Sequence, residues 1–202
     1  MKFPTAFIAA ATTLIFSGKA LAALTPDQVV GNINIVTSVS GNINSVLGGL
    51  STTPTPSQAQ TISQTVVTGF QTIINDLAGD VTAMQATPPF SDGADLIVAA
   101  LTDVIEHDNQ FFNALLSTVI GKHTIFAQFG LTGPITAVLR SLEASIDSFA
   151  FALIAMIPTK QADVTTDKNM LDGSVDNTIS LYQQLCVPSP LYPTIPPICV
   201  II

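Results

Sequence analysis

The stretch TPDQVVGNINIVTSVSGNINSVLGGL, residues 25–50, decides the fold. Val29, Ile33, Val36, Ser40, Ile43, Leu47 and Leu50 recur at steps of three and four, which sets them on one face of a helix. Thr25-Pro26-Asp27-Gln28 in front of them reads as a capping box with proline at the first helical position. Gly48-Gly49 closes the segment.

The same grammar repeats along the chain. After the Pro-rich linker 51–57, Ser57-Gln58-Ala59-Gln60 reads as a second capping box. Ile62, Val66, Ile73, Leu77, Val81 and Met84 then follow until Pro88-Pro89. Ser91 or Asp92 opens a third helix, whose stripe of Ile97, Leu101, Val104, Phe111, Leu115 and Val119 is widened by Leu96, Ala100, Phe112 and Leu116. Gly121 ends it, and residues 122–129 read as a short helix or tight turn. Thr132 is the expected cap of a further helix that buries Ile135, Leu139, Leu142, Ile146, Phe149, Leu153 and Ile157. Phe151, Ile154 and Met156 make its second half apolar nearly all round. The last helix is expected from about Lys160 to Leu185. No run alternates as a hairpin strand does. The reading is all-α: a single bundle of about five long antiparallel helices plus one short helix over 23–185, then a Pro-rich tail, 186–202.

Composition narrows the function. The chain has 202 residues and a net charge of −8; charged residues are only 10% and hydrophobic ones 48%. So few cations cannot neutralise phosphates, which excludes nucleic acid as a partner. The apolar content excludes disorder. Beyond the N-terminus no apolar block reaches the length of a transmembrane segment. Lys2, the apolar run Phe7–Phe16 and Ala20-Leu21-Ala22 predict a secretory signal peptide over 1–22, whose removal takes the charge to −10. Secretion permits a disulfide. Cys186 and Cys199 enclose five prolines and read as a clamp on the tail. An intermolecular bridge or a metal site are the rivals, the latter disfavoured by two cysteines without a histidine nearby in the sequence.

Catalytic apparatus is missing from the motifs: there is no nucleophile elbow, phosphate loop or His-Glu-x-x-His. His107, between Glu106 and Asp108, reads as part of a solvated face. His123 follows a helix-ending glycine, where a cation complements the helix dipole. The acids at 103, 106, 108, 163, 167, 172 and 176 read as solvated. No catalytic residue, metal or cofactor is expected. The informative feature is the phenylalanines, six of which (Phe111, Phe112, Phe126, Phe129, Phe149 and Phe151) fall between 111 and 151 beside small residues such as Ala114, Ala150 and Ala152. Large beside small is compatible with a filled core and with a pocket between helices.

The order Lys122-x-x-x-Phe126, Gly130-Leu131, Leu139-x-x-Leu142 and Ala152-Leu153-Ile154-x-x-x-Pro158 resembles the fungal hydrophobic surface-binding protein A family, also described as antigenic cell-wall galactomannoproteins. The resemblance implies a secreted or wall-associated, non-enzymatic helical bundle that adsorbs to hydrophobic surfaces or binds a fatty acid in a central tunnel. On that reading a long-chain fatty acid or other lipid lies against Phe111, Phe112, Leu115, Phe126, Phe129, Phe149 and Leu153. Lys122, Ser117, Thr118 and Ser145 are the candidate anchors for its carboxylate. The alternatives are adsorption to an apolar surface, or a structural glycosylated wall component without a small ligand.

Overall fold

The structure, a computed structural model, describes residues 23–106 and 112–201. The leader, His107, Asp108 and Phe111 therefore lie outside the described residues. Among those described, the chain forms α1 (Pro26–Gly48), α2 (Pro56–Gln85), α3 (Ala94–Glu106), α4 (Phe112–Gly121), α5 (His123–Gln128), α6 (Thr132–Met156) and α7 (Gln161–Tyr182), with a 3-10 turn at Pro158–Lys160. Two short strands, β1 (Leu185–Val187) and β2 (Ile198–Val200), follow. The all-α bundle read from the sequence is the observed fold, and its expected third helix is described as α3 and α4.

The helix starts hold one confirmation and three corrections. Thr25 Oγ1 accepts from the Gln28 amide and Gln28 Oε1 accepts from the Thr25 amide, at 3.3 and 2.8 Å. For α2 the N-cap is Thr55, not Ser57. Thr55-Pro56-Ser57-Gln58 repeats the spacing of the first box, with the same two bonds at 3.3 and 2.8 Å. Proline fits the first helical turn because its missing N–H has no intrahelical partner there. The third helix starts at Ala94, later than Ser91 or Asp92, because Gly93 turns the chain at φ 80°. A side chain at Gly93 would also meet Pro26 at 2.7 Å. Thr132 is the first residue of α6 and not its cap; Leu131 precedes it without a side-chain cap.

The helices close into a ring. α2 packs along α6, α6 on α7, and α1 on α2; α3 and α4 fill the space between α1 and α7. Gly69 allows the close approach of α1 and α2, since a Cβ there would come within 2.5 Å of Ile43. Phe70, Ile73, Leu115, Leu139, Leu142 and Leu153 are fully buried in the interior, each contributing about 1.5–3 kcal/mol of hydrophobic stabilisation. No single helix among the described residues is long and apolar enough to cross a membrane.

Two acids depart from the expectation of solvated faces. Asp167 is buried and accepts from Thr102 Oγ1 at 3.0 Å, tying α7 to α3. Asp172 is partly buried and paired with Lys168. On α2, burial and the neighbouring Asp76 push the Asp80 carboxyl up to about 7, against a 2.5 Å bond from Asn32 Nδ2 that favours its charge. A carboxyl raised in the folded state binds its proton more tightly there than in the unfolded chain. Its contribution is therefore fully present below the unfolded value near 4 and is lost as pH rises through about 7. Asp80→Asn should raise Tm at pH 8 by a few degrees, about 1 kcal/mol after solvent screening, and change it little near pH 4. Thermal melts at the two pH values check this.

Candidate functional site

An apolar slot of about 60 Å³ lies inside the ring. It is lined by Ile33 and Val36 of α1, Ile73 and Leu77 of α2, and Leu101, Val104 and Ile105 of α3. Phe112 of α4, Leu142, Ile146, Phe149 and Ala150 of α6, and Val164, Lys168 and Leu171 of α7 complete it. Each helix of the ring contributes, because each carries an apolar arc wider than one neighbour covers. The slot exceeds the 10–15 Å³ that a single water needs, yet falls well below the roughly 300 Å³ at which small-molecule sites begin. It is a narrow gap in a mostly filled core.

Lys168 is the one charged residue in this lining. It occupies the inward stripe of α7, four residues after Val164 and three before Leu171. Its stem lines the slot and its ammonium lies 2.6 Å from Asp172 Oδ2 and 2.6 Å from Asp147 Oδ1. The contact with Asp172 is a hydrogen bond, and that with Asp147 is an ion pair by distance, outside hydrogen-bonding geometry. These two carboxylates raise the Lys168 pKa and hold its proton. The exposed ring of Phe151 stands 6.0 Å from the ammonium; apolar by composition, it faces outward and not into the core.

Of the residues expected around a ligand, Phe112 and Phe149 line the slot. Leu115 and Leu153 are fully buried but are not in its wall. Phe126 belongs to α5 and Phe129 is its C-cap; this short helix sits where α4 and α6 meet, beneath the tail. Phe126 lies 6.5 Å from Tyr182, and Phe129 stacks edge-on against Tyr192 at 6.2 Å. The four candidate carboxylate anchors lie outside the slot lining. Lys122 Nζ donates to Leu50 O at 2.9 Å, Thr118 Oγ1 to Ala114 O at 2.9 Å, and Ser145 Oγ to Ser141 O at 3.0 Å, while Ser117 is exposed.

The tail holds two strands that the sequence did not reveal, since three residues are too few to show alternation. They pair antiparallel, with Leu185 opposite Val200, Cys186 opposite Cys199 and Val187 opposite Ile198. The cysteines form the intramolecular disulfide expected of them. Gln128 fastens the tail by donating to Ser189 O and accepting from its amide, at 2.9 and 2.8 Å. Tyr192 Oη donates to Thr52 O at 2.8 Å.

His123 is not an exposed cation at a helix end. It is buried edge-on against Tyr182, with Nε2 3.9 Å from Cys186 Sγ, and burial lowers its pKa. The fold thus supplies the histidine that is distant from both cysteines in sequence, and the three donor atoms lie within 4.8 Å of one another. Both sulfurs are spent in the disulfide, whereas a zinc-type site needs thiolates.

No protein-family model and no curated protein matches the chain. Solved structures do. One is ligand binding domain 2 of the Penicillium marneffei MP1 protein complexed with multiple arachidonic acids, at TM-score 0.63 and 14% identity, covering 78% of this chain and 93% of that one. Another is the same domain in complex with arachidonic acids, at TM-score 0.63 and 15% identity, covering 78% and 91%. At this identity the likeness establishes a shared fold.

The two ends of the ring differ in how much each phenylalanine carries. Phe149→Ala, in the slot wall, should cost about 3 kcal/mol, whereas Phe129→Ala, half-buried under the tail, should cost less than half of that. Urea unfolding of the two variants measures the difference.

Proposed function

We propose that this chain is a non-enzymatic, extracellular lipid-binding protein whose ligand's acyl chain occupies the slot inside the helix ring. The observation that carries the reading is an apolar slot lined from six helices, in a bundle whose solved neighbours include domains holding arachidonic acids. The slot must widen to take a chain. The seam between α7 and the α3–α4 wall is thinner than the seam between α2 and α6, and it runs beside Lys168. An acyl chain of about 16 carbons offers on the order of 10 kcal/mol of hydrophobic gain against the cost of parting that seam. The leader read from the sequence and the disulfide support an extracellular location.

A second reading, adsorption to an apolar surface, is favoured by one observation. Paired residues of an antiparallel ribbon share a face, and here Leu185, Val200, Val187 and Ile198 are all exposed, with Leu191 and Ile201 also exposed nearby.

Native mass spectrometry after incubation with a mixed extract of acidic and neutral lipids separates these readings. Internal binding predicts a discrete adduct of one or a few long-chain lipids that persists when the tail is cut back to residue 184. Loss of all adducts on that truncation assigns binding to the tail, and no adduct in either form refutes lipid binding.

A further inference from the structure

Resting on the lipid-binding reading, we propose that the slot selects amphiphiles whose headgroup donates hydrogen bonds (hydroxyl, ammonium or protonated carboxyl) and discriminates against carboxylates. The first ground is charge. Lys168 is the one cation in the lining, and it already stands between Asp147 and Asp172, so the three groups together carry a net negative charge. Around it on the same two helices acids outnumber the one further cation, the exposed Arg140 of α6: Glu143 of α6 is raised by burial and then by Asp176, Asp172 and Asp147. A carboxylate brought to Lys168 therefore meets a surplus of like charge in a partly desolvated place, where such repulsion is strong.

The second ground is hydrogen bonding and is independent of net charge. Lys168 occupies Oδ2 of Asp172 and Oδ1 of Asp147, whereas Oδ1 of Asp172 is buried and accepts no hydrogen bond among the described residues. Buried acceptors without partners are uncommon, and each costs free energy until a donor arrives. A hydroxyl or ammonium brought beside Lys168 supplies that donor to Asp172, whereas a carboxylate brings only more acceptors. The aliphatic stem of Lys168 then continues the apolar wall under the chain's first carbons, with its head fixed by the two acids and not free to swing to a ligand.

The test is a headgroup series on one chain: dodecylamine, dodecanol and dodecanoate, titrated calorimetrically into the full chain at neutral pH below their aggregation concentrations. The amine is expected to bind at least about tenfold tighter than the carboxylate, with the alcohol between. In Asp147→Asn/Asp172→Asn the gap between amine and carboxylate should shrink to about twofold, which separates this site from attraction to the acidic surface as a whole. If the double variant does not fold, Asp172→Asn alone, which keeps the Lys168–Asp147 pair, should narrow the gap by at least half. Dodecanoate binding as tightly as dodecylamine, or a gap unmoved by the substitutions, overturns the proposal while leaving lipid binding intact. If none of the three binds, the lipid-binding reading itself fails.

Discussion

Closure of the helix ring is the constraint on which the rest of the structure depends. Helices with apolar arcs this wide cannot be satisfied by one neighbour each. The chain solves this by leading α1 to α2, α2 to α6, α6 to α7, and by inserting α3 and α4 between α7 and α1. A ring of that kind has an interior to fill, and side chains from opposite helices leave a slot of about 60 Å³. The low charge of the sequence follows from the same geometry, since residues on two flanks of many helices face other helices. What charge remains is used locally, as where Lys160 bridges α7's approach to Asp95 of α3 at 2.5 Å.

The structure divides its work between two ends. Where α4, α5 and the start of α6 meet, the chain is locked by polar and aromatic contacts: Tyr182 Oη donates to Val119 O at 2.6 Å, Lys122 reaches Leu50, and the tail is fastened through Gln128 and Tyr192. The slot lies away from these locks, along α3, the second half of α6 and the first half of α7, where the lining is aliphatic but for Phe112, Phe149 and Lys168 and the polar ties are the Thr102–Asp167 bond and the Lys168–Asp147 pair. A wall held mostly by non-directional contacts, with one buried hydrogen bond across the α3–α7 seam, can separate and re-form at lower cost than one held by several, whose loss leaves groups unpaired. That asymmetry is the physical reason to place a ligand at the slot and a structural role at the tail.

How much of this was legible in the sequence depended on range. Periodicity and capping act within a few residues, so the helices and the Thr25 box were readable, and Thr55 was mistaken for Ser57 by only two positions. The Phe cluster, close in sequence, is distributed by the fold over three places: the slot wall (Phe112, Phe149), the end cap (Phe126, Phe129) and the surface (Phe151). His123 beside Cys186 spans 63 positions and has no local signature. Lys168 was the exception that could have been found, since Val164 and Leu171 place it on the buried stripe of α7. Its partner Asp147, on another helix, could not have been, because only the packing of α6 on α7 brings it there.

The central claim is that the ring's interior, and not the exposed tail, holds the apolar part of a ligand. Intermolecular NOEs from a bound acyl chain to assigned methyl groups test this most directly. The account predicts cross-peaks to Ile33, Ile146 and Leu171, which line the slot from three different helices. Cross-peaks confined to Val187, Ile198 and Val200 of the ribbon would contradict it.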